Sequence, residues 1–262
     1  MKILPYDLLF SMTPIFILVL CRVASVMIFA PVLGSTAIPM KIKGLVALVM
    51  SIAVFPMVMQ TDAAHSVIEP NSFFGLAMGV AFELVIGSAM GFAILLMFIG
   101  VQLGAEMISQ QMALSLGRII DPITNVSTDV VSQFYLMLTT LIYILINGPM
   151  ILIRALFDTF KSIPLMGAGV DQRIVDIFTT ILTSSFKLGI RIAGPALAAI
   201  FLATLAMGFI SRTMPQLNIL AAGFPIRISL SLILLIASLG SVCLLIEDNL
   251  LKLLSGLGAF FV

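Results

Sequence analysis

Five charged or amide side chains interrupt a very apolar chain between Gly104 and Pro122: Glu106, Gln110, Gln111, Arg118 and Asp121. Their types suit hydrogen bonding and charge, not bond making. The serines are scattered and form no recognisable catalytic set. The single histidine, His65, falls in a polar connection. No nucleophile elbow, phosphate-binding loop, zinc motif or paired metal ligands are present. No catalytic set, metal or cofactor is therefore expected. What such a stretch can do is gate. Charge and unpaired backbone are expensive in hydrocarbon, so irregular polar chain survives there only inside protein or along a wet cavity. Residues 106–121 are accordingly read as the working part of a pore. Met107 and Met112 flank the two glutamines, and a flexible thioether either packs a core or forms a deformable seal.

The elements that must hold this stretch are long and apolar. Of the 262 residues, 61% are hydrophobic and 10% charged, with a mean hydropathy of +1.25. Soluble domains carry about 25% charge, so the chain is expected to be membrane-integral or buried in an apolar assembly. The net charge of +1 implies no nucleic-acid surface. Cys21 and Cys243 lie in apolar runs and read as small buried hydrophobes. Tryptophan is absent, and three tyrosines make little of an aromatic belt. The run from Leu8 to Leu33 is too long for a secretory signal and is expected to stay as an anchor. The lysines and arginines of the connections show no imbalance that would fix orientation.

Six apolar segments are expected, near 8–30, 41–59, 72–112, 130–160, 174–212 and 226–254. A crossing of ~30 Å needs ~20 residues. The third, fourth and fifth are longer than that, and the fourth and fifth hold Asn147-Gly148-Pro149 and Gly194-Pro195. They are read as bent hairpins or broken helices, because proline removes a backbone hydrogen bond. The fold class is all-α: a multi-helix, membrane-associated bundle of long, kinked helices and hairpins.

Gly75, Gly79, Glu83, Gly87 and Gly91 recur every four residues, making one stripe on a helix. Small residues there admit a second backbone. The stripe is either intrachain packing or a subunit-facing seam with Glu83 hydrogen-bonded across it. A lone carboxylate gives no proton path. Lys187 and Arg191 share a helix face and are expected to meet acids of the assembly. Arg22 invites the same weighing. Arg154 and Asp158 are expected to pair with each other at i,i+4.

Several motifs together resemble one family. Gly104-Ala-Glu106 followed by Gln110-Gln111-Met112, Asp121-Pro122 and Asn147-Gly148 is similar to the middle of the flagellar biosynthesis family FliR. So are Arg212-Thr-Met-Pro215-Gln216-Leu-Asn218, then Gly223-Phe-Pro225, and an early Arg22-Val run ending in Ala30-Pro31. The resemblance covers nearly the whole chain. It implies one core export-gate subunit over 1–262, with a FliP-like part at about 1–170 and a FliQ-like part at about 171–262. It implies a single copy in a complex with FliP and FliQ, with FlhB and FlhA around it, in the bacterial inner membrane as part of the flagellar basal body. Unfolded flagellar proteins would be the exported substrates.

The resemblance also implies that the loop at 106–121 plugs the pore. The residues suit that role. Gln110, Gln111 and Ser115 take hydrogen bonds; Met112, Leu114 and Leu116 seal; Gly117 permits the turn. Arg118 and Asp121, three apart, would latch the closed state as an ion pair. An injectisome export gate is the close alternative. A polytopic small-molecule or ion transporter is a second, with Lys187 and Arg191 near a helix broken at Gly194-Pro195, but the inverted repeats that it predicts are not visible. An intramembrane enzyme would need a nucleophile with its base, or metal ligands.

Overall fold

A computed structural model of the protein describes residues 5–60, 73–112, 129–165, 172–214 and 219–260. Seven helices make up the described part: α1 (Pro5–Phe29), α2 (Met40–Met59), α3 (Phe73–Gln111), α4 (Val130–Leu145), α5 (Gly148–Ser162), α6 (Gln172–Thr213) and α7 (Ile219–Phe260). No strand occurs among the described residues, so the fold is an all-α membrane bundle. Five helices are long and apolar enough to cross a membrane: α1, α2, α3, α6 and α7.

Two findings correct the expected segments. The third and fifth segments are not broken: α3 runs unbroken for 39 residues and α6 for 42, with Pro195 inside α6. α3 contains no proline. In α6 the proline removes only its own N–H bond, and the helix continues on both sides of it. The last helix begins before Pro225 rather than after it, at Ile219, and carries that proline inside. The fourth segment does break where Asn147-Gly148-Pro149 interrupts it. Asn147 is left-handed, at φ 56°, a conformation that asparagine tolerates better than most residues. Its carbonyl accepts from Met150 and Ile151 at 3.0 and 3.1 Å. Pro149 then sits in the first turn of α5, where its missing N–H matters least.

The helices form two compact units. The first comprises Met1–Leu96, Ile146–Ile181 and Leu250–Val262. Its core takes Leu18, Val19, Val23 and Val26 of α1, Val54 and Val58 of α2, Met90 and Ile94 of α3, and Leu152 and Leu156 of α5. The i, i+4 and i+7 spacing of the α1 set puts one face of that helix inward. Phe16 meets Phe55 edge-on at 5.7 Å, joining α1 to α2. The turn between those helices is closed by Lys43, whose Nζ donates to the Gly34 carbonyl at 2.7 Å.

The second unit comprises Met97–Leu145 and Leu182–Asn249. Its core includes Val101, Ala105 and Ile108 of α3, Tyr135 and Tyr143 of α4, Leu188 and Ile192 of α6, and Val242 and Ile246 of α7. Here α3 and α6 touch backbone to backbone. A Cβ on Gly104 would lie 2.5 Å from the Gly189 carbonyl oxygen, and one on Gly189 2.5 Å from that of Gly100. A Cβ on Gly100 would collide with the Ser185 carbonyl. Only glycine allows this crossing, the small-residue logic of membrane helices.

Candidate functional site

In the first unit, two lone charges of apolar helices find each other. Arg22 of α1 donates through Nε to the Glu83 carboxylate of α3, and both side chains are wholly buried. The guanidinium does more than pair. Its Nη1 donates to the Thr159 carbonyl at 3.2 Å and towards that of Ile163 at 3.4 Å. Those carbonyls belong to the C-terminal end of α5, where a cation is favoured by the exposed carbonyl dipoles. The guanidinium carbon also lies 4.5 Å from the centroid of the Phe160 ring. One arginine therefore ties α1, α3 and the end of α5 together.

The glycine stripe makes this approach possible. Gly79, Glu83, Gly87 and Gly91 are buried, and Gly75 is partly so. A Cβ on Gly87 would collide with the Ser25 hydroxyl and the Arg22 carbonyl. One on Gly91 would lie 2.9 Å from the Phe29 Cβ and 3.0 Å from the Ala30 nitrogen. The stripe thus lets α1 lie against α3, one turn beyond the carboxylate that Arg22 must reach. Gly87 and Gly91 serve packing inside the chain, and Glu83 is engaged by Arg22 of the same chain. The sequence signal was that Arg22 and Glu83 each stand isolated in an apolar run. The α5 carbonyls and Phe160 left no such signal.

The expected pairing on α5 is different in the structure. Asp158 accepts from Lys161 at 3.1 Å, three residues on, rather than from Arg154. Both partners of this pair are more than half exposed, and Arg154 is exposed too.

The polar stretch begins inside the second unit. Glu106, Met107, Gln110 and Gln111 belong to the last turns of α3, so the part expected to be irregular starts as helix. These turns have two faces. Ala105, Ile108, Ser109 and Met112 are fully buried. Gln110 and Gln111 are exposed, Met107 is 43% exposed and Glu106 is half-buried. Met112 closes the helix, its N–H donating to the Ile108 carbonyl at 3.0 Å. It packs within the unit, so Met107 and the two glutamines are what α3 presents at its end. Leu114, Leu116, Gly117, Arg118 and Asp121 lie outside the described residues.

On α6, Lys187 and Arg191 are exposed beside the glycine crossing. Arg212 is exposed at its end, and Pro215, Gln216 and Asn218 lie outside the described residues. Gly223 of α7 is buried, with room for a Cβ only 3.2 Å from the Met207 sulfur. Pro225 is exposed. Cys21 and Cys243 are free thiols.

Comparison with known proteins agrees with this picture of helices and motifs. The chain is 29% identical over 218 residues to the flagellar biosynthetic protein FliR of Escherichia coli (strain K12), covering 83% of this chain and 81% of that one. It is 25% identical over 241 residues to the FliR of Bacillus subtilis (strain 168), covering 90% of each. The FliR of Aquifex aeolicus (strain VF5) is 26% identical over 229 residues, 87% of this chain and 86% of that protein. The profile of the bacterial export proteins, family 1, matches residues 13–253. With nearly every apolar segment and each family motif inside that match, the chain belongs to the bacterial export proteins, family 1.

Proposed function

We propose that this chain is a core subunit of the flagellar type III protein export gate, forming and plugging the channel through which unfolded flagellar proteins leave the cell. The observation that carries the reading is its similarity to flagellar FliR proteins over more than four fifths of both chains. The α3 end supports the plug: a 39-residue apolar helix stops at Met107, Gln110 and Gln111, all exposed, and the chain then runs on through Leu114, Leu116, Gly117, Arg118 and Asp121. Exposed amides take hydrogen bonds from water or neighbours, and the apolar side chains exclude ions. The work is gating rather than bond chemistry.

On this reading the chain sits in the bacterial inner membrane with FliP-like and FliQ-like chains, and FlhB and FlhA associate with that core. Residues 1–170 correspond to a FliP-like part and 171–262 to a FliQ-like part. Lys187, Arg191 and the Arg212–Pro225 motif are then surfaces for the assembly, and Arg118 and Asp121 latch the closed plug. The test is native mass spectrometry of the tagged chain, gently extracted from its own membranes. A large complex with FliP-like and FliQ-like chains is expected; a monomer or homo-oligomer would overturn the reading. For the latch, Arg118→Ala and Asp121→Ala should each increase ion leakage. Unchanged leakage and secretion in both would remove the latch and leave the gate.

A further inference from the structure

The aromatic residues of this chain are unevenly spent. It contains 19 phenylalanines and only three tyrosines, yet two of those tyrosines, Tyr135 and Tyr143, lie on one face of α4 with no exposed surface. Ser132 and Thr139 share that face, because the 3, 4 and 4 residue steps of 132, 135, 139 and 143 follow the helical repeat. Thr139 donates to the Tyr135 carbonyl at 2.7 Å within its own helix. Among the described residues, the hydroxyls of Ser132, Tyr135 and Tyr143, and that of the fully buried Ser109 on α3, have no hydrogen-bond partner. All lie in the second unit.

The opposite face of α4 is hydrocarbon and exposed, with Met137, Leu141 and Leu145 more than half so. The helix is therefore turned with hydroxyls inward and hydrocarbon outward. Buried hydroxyls are ordinarily satisfied, by protein or by ordered water. Phenylalanine would fill the same ring sites without that demand, and Tyr143 already packs edge-on against Phe98 at 5.6 Å. Since neither phenol has exposed surface, a ligand must be small and lodged inside the unit.

We propose that the hydroxyl face of α4, with Ser109 of α3, is an internal water-binding seam, running ~16 Å along the helix from Ser132 to Tyr143. Bound water donates to and accepts from these hydroxyls, as buried water does for polar groups that lack a protein partner. The ligand is water because the hydroxyls are fully enclosed, unpartnered among the described residues and in need of a group that both donates and accepts.

The test uses the protein as extracted from its membranes, with whatever chains accompany it. Tyr135→Phe and Tyr143→Phe keep the ring volume, so the fold is retained. Each is expected to lower the melting temperature by about 3 °C. Brief X-ray radiolysis, which generates hydroxyl radicals from bound water, is expected to oxidise both tyrosine rings in the parent protein. An unchanged or raised melting temperature for both variants would overturn the seam, whatever the radiolysis result. A lowered melting temperature without ring oxidation would also overturn it, because a polar group of a neighbouring chain would then be the partner.

Discussion

Arg22 shows how much one side chain can hold when no water is available to it. A guanidinium has five donors in a rigid fork, and here it divides them between a carboxylate and the carbonyls that end α5. Removing one member of a buried pair leaves an uncompensated charge, at a cost of about 3–5 kcal/mol. Arg22→Ala and Glu83→Ala are each expected to reduce the amount of folded protein and its melting temperature. The double variant Arg22→Met with Glu83→Leu should recover part of that loss, since a hydrophobic replacement of a buried pair is often tolerated. A single variant that melts like the parent would show that the pair holds nothing. Asp158→Ala is the contrasting case: its partner Lys161 is exposed, and such pairs contribute about 0.5 kcal/mol or less. At this scale the sequence was half legible. It marked Arg22 and Glu83 as charges in need of partners, but a pairing across 61 residues depends on how α1 and α3 lie, which no local pattern encodes. The preference for Arg154 with Asp158 failed because a lysine one step closer competed for the same exposed carboxylate.

The helices themselves were the most readable part of the chain. Segments expected at 41–59 and 72–112 are α2 at 40–59 and α3 at 73–111, because apolar runs bounded by polar or turn-forming residues leave few alternatives. Proline alone does not break these helices. The helical backbone passes through Pro56, Pro195 and Pro225, and the break at Asn147 comes from a left-handed residue that proline merely follows. The glycine spacing was legible as close packing, but whether it served this chain or another was not; Gly87 and Gly91 turn out to receive α1. For the second unit, Gly104→Val and Gly189→Val are expected to force α3 from α6 and abolish stable accumulation. Gly44→Ala meets nothing within 4 Å in the chain and should leave accumulation unchanged or slightly higher, as alanine favours helix by about 1 kcal/mol over glycine. Immunoblotting of membranes from cells making each variant separates the two outcomes. Equal levels for Gly104→Val and the parent would remove the crossing as a structural requirement.

Across the whole molecule, burial is shared out unequally among the crossing helices. The apolar stretch of α3 is 67% buried within the chain, while that of α7 is 11% buried and that of α2 22%. α3 is thus the internal scaffold, and α7 is left for lipid or other chains to cover. Phe201, Leu202 and Phe209 of α6 extend the same condition, each more than 60% exposed. On the proposed export-gate reading, the chain produced alone is expected to be degraded or to aggregate, and co-production with FliP-like and FliQ-like chains should rescue it; equal recovery with and without them would show that lipid alone suffices. The candidate plug was legible only as a polar interruption, because periodicity identifies helices and says little of the chain between them. The sparse cover of α7 also bears on inheritance. A buried side chain answers to neighbours encoded in the same gene, so α3 can drift while its contacts drift with it. A side chain on the uncovered face of α7 answers to another gene or to the lipids of one cell. This chain should therefore substitute poorly for relatives at 25–29% identity in a foreign host, and a chimaera keeping the host's α7 with this chain's α1–α6 should complement better than the intact transplant.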